Sequence, residues 1–227
     1  MLFEVSNLTA GYGGAAVIND TSLSADRGDL VMIRGANGSG KSTFLKALSG
    51  QLSSVSGAIF FKGNRVGCNP FSGGYLYADL YAVPQWNGVF DELTVEENLL
   101  ISARSHGNSR KGIPELLLPF IEKQSHVRAG LLSGGERKVL SLSMAFASLA
   151  DLLLIDEPLA GLSEGNGLGE MVVRTLLAAP RSGKTVLFVE HREARLVKEI
   201  EDAGDIKVFD LKDGKIRKAD KALEVSK

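Results

Sequence analysis

A chain of 227 residues can bury one substantial core with subdomains, but not two independent enzymes of ordinary size. Its 26 basic and 27 acidic residues leave a formal charge of −1 with no block of like charge, which argues against a nucleic-acid partner or a polybasic membrane patch. The single cysteine, Cys68, excludes an internal disulfide and removes the usual thiolate zinc sites, and reads as a buried or incidental residue in a reducing compartment.

The opening MLFEVSNL has a charge at position 4 and no basic leader, and the longest apolar uncharged run, Val139 to Ala150, is too short to span a bilayer. The chain is therefore expected to be soluble. LFEVSNLTA and AAVINDTSLSA alternate like strands, and DLVMIRG is a short apolar strand running into glycines. STFLKALSG has helical spacing and stops at Gly50, after which SGAIFFKGNRV returns to strand with a turn at Gly63 and Asn64. Beyond a loop rich in glycine and aromatic residues, LYAVPQ is another short strand. From LTVEENLLISARS through IPELLLPFIEKQ the pattern is helical, with Thr94 and Glu97 spaced as a capping box, so residues 87–132 are expected to form a separate helical lobe. A helix over 137–149, the strand DLLLID, a helix over 165–179, the strand TVLFVEH, a helix over 192–202 and a hairpin turning at KDGK complete the chain. Strands alternating with helices imply a mainly parallel sheet covered on both faces.

The strongest motif is GANGSGKST, Gly35 to Thr43, which matches G-x-x-x-x-G-K-[ST] and lies between a strand and a helix, as a phosphate loop requires. Backbone N–H groups of Gly35, Asn37, Gly38, Ser39, Gly40 and Thr43 belong to a loop that can wrap a phosphate, because glycine permits close approach and the helix N-terminus adds a favourable field. Lys41 suits neutralising β- and γ-phosphates, and the Ser42 hydroxyl suits Mg2+. LLLIDEP delivers Asp156 and Glu157 at the carboxyl end of a buried strand, where open α/β sheets bind ligands. Asp156 suits a water-mediated Mg2+ contact and Glu157 suits polarising the water that attacks a γ-phosphate; taken alone, such a pair is more commonly a solvated turn. LYAVPQ ends on Gln85 and TVLFVEH on Glu190 and His191. Strands that all stop on polar groups would gather those groups in one crevice, where His191 could bond the γ-phosphate and Gln85 could sense Mg2+ and the water.

A second glycine pair lies in LLSGGERKVL. Ser133 and Glu136 have capping-box spacing, so Ser133 can cap the helix starting near Arg137 while Gly134 and Gly135 leave N–H groups exposed. The other copy, Ser72 to Gly74 in NPFSGGYLYADL, lacks the matching Glu and a following helix, and reads as a flexible or bulged loop.

GANGSGKST, Gln85, LSGGE, LLLIDEP and His191, in that order, resemble the nucleotide-binding subunits of ABC transporters over the whole chain. TVEENLLIS, RAGLLSGGE and DEPLAGLS are most similar to the ATPases of branched-chain amino-acid importers. The resemblance implies an α/β fold: a P-loop NTPase core with a mainly parallel sheet (1–86 and 133–227), an N-terminal antiparallel β subdomain and the inserted helical subdomain of 87–132. It implies ATP hydrolysis with Mg2+, with Tyr12 stacking on adenine and with Ser42, Gln85 and Asp156 around the metal. It also implies two subunits, identical or paralogous, facing head to tail so that Ser133, Gly134 and Gly135 of one close on the ATP of the other. The implied setting is the cytoplasmic face of the inner membrane, against integral membrane permease subunits, with a substrate-binding protein as a further partner. Trp86, Phe90, Leu93 and Val95 lie where family members receive a coupling helix, and packing inside the lobe accounts for them equally well. Ser163 stands where many members have an Asp, which puts the usual contact between subunits in doubt at that point. A soluble ABC ATPase, for instance of iron-sulfur cluster assembly, is the rival reading.

Overall fold

The computed structural model describes residues 1–52, 54–66, 79–86, 88–103, 110–162, 167–191, 195–203 and 205–219. The motif at Ser72–Gly74, Cys68 and Ser163 lie outside them. The strands are β1 (Phe3–Tyr12), β2 (Ala15–Ala25), β3 (Leu30–Arg34), β4 (Ser54–Phe61), β5 (Asn64–Val66), β6 (Leu80–Val83), β7 (Leu152–Asp156), β8 (Thr185–Glu190), β9 (Ile206–Lys212) and β10 (Lys215–Lys218). The α-helices are α1 (Lys41–Leu48), α2 (Val95–Ser102), α3 (Leu118–Gln124), α4 (Gly134–Ala147), α5 (Leu168–Ala178) and α6 (Arg195–Asp202), with 3-10 turns at Glu115–Leu117, Ala129–Leu131 and Ala179–Ser182.

The strands form two sheets. An antiparallel sheet has the order β2-β1-β4-β5, and a second has the order β10-β9-β3-β8-β7-β6. In the second, β9, β3, β8, β7 and β6 are mutually parallel, and β10 turns back along β9. The α/β fold with a mainly parallel sheet is therefore as the alternation of elements implied. Asn19 N–H donates to Gly214 O at 2.7 Å, which ties β2 to the β9–β10 turn and holds the two sheets together at one edge.

The parallel strands are apolar almost throughout because both of their faces are covered. Val31, Ile33, Leu152, Leu154, Leu187 and Val189 pack with the antiparallel sheet and α1, in a cluster that includes Phe3, Phe44 and Phe61. Their neighbours Leu30, Met32, Leu153, Ile155, Val186 and Phe188 face the other way, against α2, α4, α5 and α6. That second cluster runs without a break into Val95, Leu99, Ile121 and Ala129, so the helical stretch shares one core with the sheet.

Local departures from the sequence reading have simple causes. Helix α4 starts at Gly134 rather than near Arg137, because a cap immediately precedes the helix that it caps and Ser133 is that cap. It stops at Ala147 rather than 149, where Ser148 leaves helical geometry. The β4–β5 turn is Lys62-Gly63 rather than Gly63-Asn64; both central residues have positive φ (51° and 78°), the geometry of a tight hairpin. No helix among the described residues is long and apolar enough to cross a membrane.

Candidate active site

Parallel strands direct their carboxyl ends to one edge of the sheet, and the polar residues gather there. The Gly35–Thr43 loop leaves β3, Asp156 and Glu157 end β7, Glu190 and His191 end β8, and Gln85 follows β6 after Pro84. The loop enters α1 through Gly40, whose φ of 104° belongs to glycine and which provides no side-chain cap. The first N–H groups of that helix have no intrahelical acceptor and are left for an anion. A Cβ at Gly40 would come within 2.9 Å of Val17 Cγ1 and 3.0 Å of Ile18 Cδ1, because β2 packs directly on the loop. A cavity of about 1210 Å³ runs along Gly35, Asn37, Gly38 and Ser39 to His191 on one side and the β9–β10 hairpin on the other.

Lys41 is buried, and its Nζ donates to Gly35 O (3.0 Å) and Ala36 O (3.2 Å) while lying 3.4 Å from Glu157 Oε1. Gln85 Nε2 donates to Glu157 Oε2 at 2.5 Å, and His191 Nε2 lies 3.2 Å from Glu157 Oε1. Groups from three different strand ends thus meet on one carboxylate, and both of its oxygens are engaged. Glu157 is itself buried, with φ at 46° in the left-handed region. A non-glycine residue held there costs on the order of 1–3 kcal/mol and persists only where its surroundings over-determine it.

Asp156 tests whether the site suits a metal. Burial pushes its carboxyl above the ordinary carboxylate range, opposed by a hydrogen bond from Ser42. Asp156 Oδ1 is buried with no hydrogen-bond partner among the described residues, and so is Ser39 Oγ on the loop. Among the described residues no three carboxylate, imidazole or thiolate side chains are arranged to hold a metal ion by themselves. One hydroxyl beside one carboxylate with a free oxygen is the sparse protein donor set with which Mg2+ is held on nucleotide phosphates. The residues fit that ion. Thr43 is buried in the first turn of α1 behind Ser42.

The second glycine pair lies apart from this cluster. Ser133 Oγ accepts from Glu136 N–H (3.3 Å) and Ser133 N–H donates to Glu136 Oε2 (2.8 Å), which completes the expected capping box. Ser133 and Gly134 are exposed, and no hydrogen bond among the described residues joins Ser133, Gly134 or Gly135 to the phosphate loop. Tyr12 ends β1 half-exposed and does not line the cavity. Of the four apolar residues near Gln85, Trp86 (62% exposed) and Phe90 (52%) are on the surface, Leu93 is partly covered and Val95 is wholly in the core.

Two residues that sequence reasoning left without a role also belong to the cluster. Lys138 is buried, and its Nζ donates to Glu157 O at 2.6 Å and to Ala160 O at 3.3 Å. Glu190, 2% exposed, accepts from Leu159 N–H and His191 N–H, both at 3.0 Å. Glu190 was legible as a polar strand end. Lys138 was not, because α4 is buried from Lys138 to Ala147 and has no polar face against which an inward lysine would stand out.

Comparison with known proteins identifies the family and the fold. The family model described as ABC transporter matches residues 18–160. The high-affinity branched-chain amino acid transport ATP-binding protein BraG of Pseudomonas aeruginosa is 32% identical over 191 residues, covering 82% of this chain and 81% of that one. The Nod factor export ATP-binding protein I of Bradyrhizobium diazoefficiens is 33% identical over 196 residues, 84% of this chain and 62% of that longer one. Among solved structures, the ADP conformation of an ATP-binding cassette of an ABC transporter superposes with a TM-score of 0.75 at 27% identity, over 95% of this chain and 89% of that one.

Proposed function

This chain belongs to the ABC transporter family as one of its ATP-binding ATPases, and from that premise we propose that it drives a separate membrane permease by ATP-dependent pairing of two such subunits. The observation that supports this reading most directly is the convergence of Lys41, Gln85 and His191 on Glu157. The loop Gly35–Thr43 binds the phosphates of ATP through its N–H groups and Lys41, and Tyr12 stacks on the adenine. Glu157, held by Gln85 and His191, takes the proton of the attacking water; His191 and Lys41 turn to the γ-phosphate and hold its charge as the bond breaks. Ser42 and Asp156, with Gln85 beside them, would hold Mg2+, whose chemistry here is to neutralise charge on the β- and γ-phosphates.

Ser133, Gly134 and Gly135 then meet the ATP of the facing subunit, identical or paralogous. ATP becomes the contact between the two, and hydrolysis reopens them, a two-state element biased by ligand. The helical subdomain expected over 87–132 would take the permease, with exposed Trp86 and Phe90, close to Gln85 in sequence, as its docking edge. The setting is the cytoplasmic face of the inner membrane, with amino-acid uptake as the cargo class, since relatives named for branched-chain amino acid transport match over four-fifths of this chain. Purification from detergent-solubilised membranes tests the coupling. An integral membrane protein should accompany the chain and raise its ATP turnover; a chain that purifies with soluble partners only favours the rival role in a non-transport system.

A further inference from the structure

We infer that Lys138 and Glu190 are positioning residues for hydrolysis, a buried pair of opposite charges that grips the turn Glu157–Ala160 from two sides and sets the Glu157 carboxylate. The inference rests on the assignment of Glu157 as the group that activates water. The N–H groups of Glu157, Leu159 and Ala160 are all tied. Glu157 N–H donates to Val189 O (3.1 Å), Ala160 N–H closes the turn on Glu157 O (3.1 Å), and Leu159 N–H donates to Glu190 Oε2 (3.0 Å). Lys138 Nζ draws Glu157 O and Ala160 O to one point.

The grip accounts for the left-handed backbone at Glu157. That conformation is disfavoured for a residue with a Cβ, and relaxing to the ordinary right-handed region would swing the carboxylate away from Gln85 and His191. Two opposed charges are costly to bury for packing alone. Here each spends its hydrogen bonds on the backbone of this turn. Glu190 uses its second oxygen on His191 N–H, so the same carboxylate also locates the imidazole facing Glu157. No hydrogen bond among the described residues joins either side chain to the phosphate loop, so both act through Glu157 and His191 rather than on the nucleotide. Trp86, on the loop just after Gln85, covers the Lys138 ammonium with its ring at 5.8 Å and lies against Gly161 beyond the turn. Burial pushes the Lys138 ammonium below the ordinary lysine range, opposed by Glu190, Glu157 and Asp156, as expected of a cation packed among these groups.

The test is steady-state ATP hydrolysis by the whole chain carrying Lys138→Met, which keeps the stem and removes the donor, beside Lys138→Arg. The methionine variant should lose about 10- to 100-fold in kcat with KM for ATP within about two-fold of the parent, because the carboxylate is displaced while the phosphate loop is untouched. Arginine should recover most of the loss, since it again presents donors to both carbonyls. A kcat within about two-fold of the parent in the methionine variant overturns the inference, and so does a rise in KM without a fall in kcat. If the methionine variant lacks native near-ultraviolet dichroism, Glu190→Gln decides: it cannot accept from both N–H groups, so kcat should fall with KM unchanged, and an unchanged kcat overturns the inference. Glu157→Gln separates the two levels. Turnover surviving there removes the assignment on which the inference rests, whereas turnover lost there but intact in folded Lys138→Met removes the inference alone.

Discussion

Gly134 and Gly135 are adjacent in the sequence but stand in opposite surroundings, so alanine at each separates a steric role inside the chain from a role outside it. Among the described residues a Cβ at Gly134 would find nothing within 4 Å, whereas one at Gly135 would meet Leu168 Cδ1 at 2.8 Å and Leu162 Cδ2 at 3.2 Å. Gly134 is the first residue of α4, so alanine there should be neutral or gain up to about 1 kcal/mol from helix propensity. At Gly135 the crowding of about 1–3 kcal/mol, less the same propensity gain, should leave a net loss of roughly 0–2 kcal/mol. Urea unfolding of each isolated variant measures these values. The described residues thus give no steric reason for glycine at 134; the proposed approach of a partner's nucleotide would. Gly134→Ala should therefore keep or improve stability while losing at least about 10-fold in ATP turnover, through a methyl placed where a phosphate must come close. A variant destabilised by more than about 1 kcal/mol would make the glycine structural. A stable variant with full turnover would remove the contact between subunits.

Gly40→Ala should cost about 2–5 kcal/mol in urea unfolding without nucleotide, from the left-handed backbone together with contact against Val17 and Ile18; a loss below about 1 kcal/mol would mean that the loop rearranges freely. Glu157→Gln should keep ATP and accumulate a dimer on size exclusion with ATP and Mg2+, since Ser133–Gly135 and the phosphate loop are intact; a monomer under those conditions contradicts the shared site. Burial holds the Glu190 carboxyl above its ordinary value of 4.5, a shift opposed by the N–H groups of His191 and Leu159 and by Lys138 and reinforced by Glu157. From 4.5 up to its raised value the folded chain therefore holds more protons on Glu190 than the unfolded chain does, and its contribution to stability falls as pH rises through that window. Glu190→Gln should flatten that part of the curve of unfolding free energy against pH, and an unchanged slope would place the titration elsewhere.

Much of this was legible in one dimension because it depends on periodicity and spacing. Alternation of apolar strands with helices implied the covered parallel sheet, the G-x-x-x-x-G-K-S spacing marked the phosphate loop, and S-x-x-E spacing marked the cap at Ser133, since each leaves a pattern among residues a few positions apart even where the strands themselves pair over long separations. Ends of elements were less legible. Where α4 begins depends on which residue is its cap, and where the β4–β5 turn falls depends on which residues take positive φ. Only the tertiary structure decided what meets Glu157. Gln85, Lys138 and His191 lie 72, 19 and 34 positions from it; the polar strand ends placed Gln85 and His191 in one crevice with it, but nothing local in the sequence sets their contacts with this carboxylate or brings Lys138 to its carbonyl. It also divided Trp86 and Phe90 on the surface from Val95 in the core, a distinction that depends on packing between elements rather than on residue type. Lys138 is the clearest case: an ammonium next to Glu136 and Arg137 at the start of a helix has no distinct meaning along the chain, and acquires one only when the parallel strands bring a backbone turn to within hydrogen-bond reach of it.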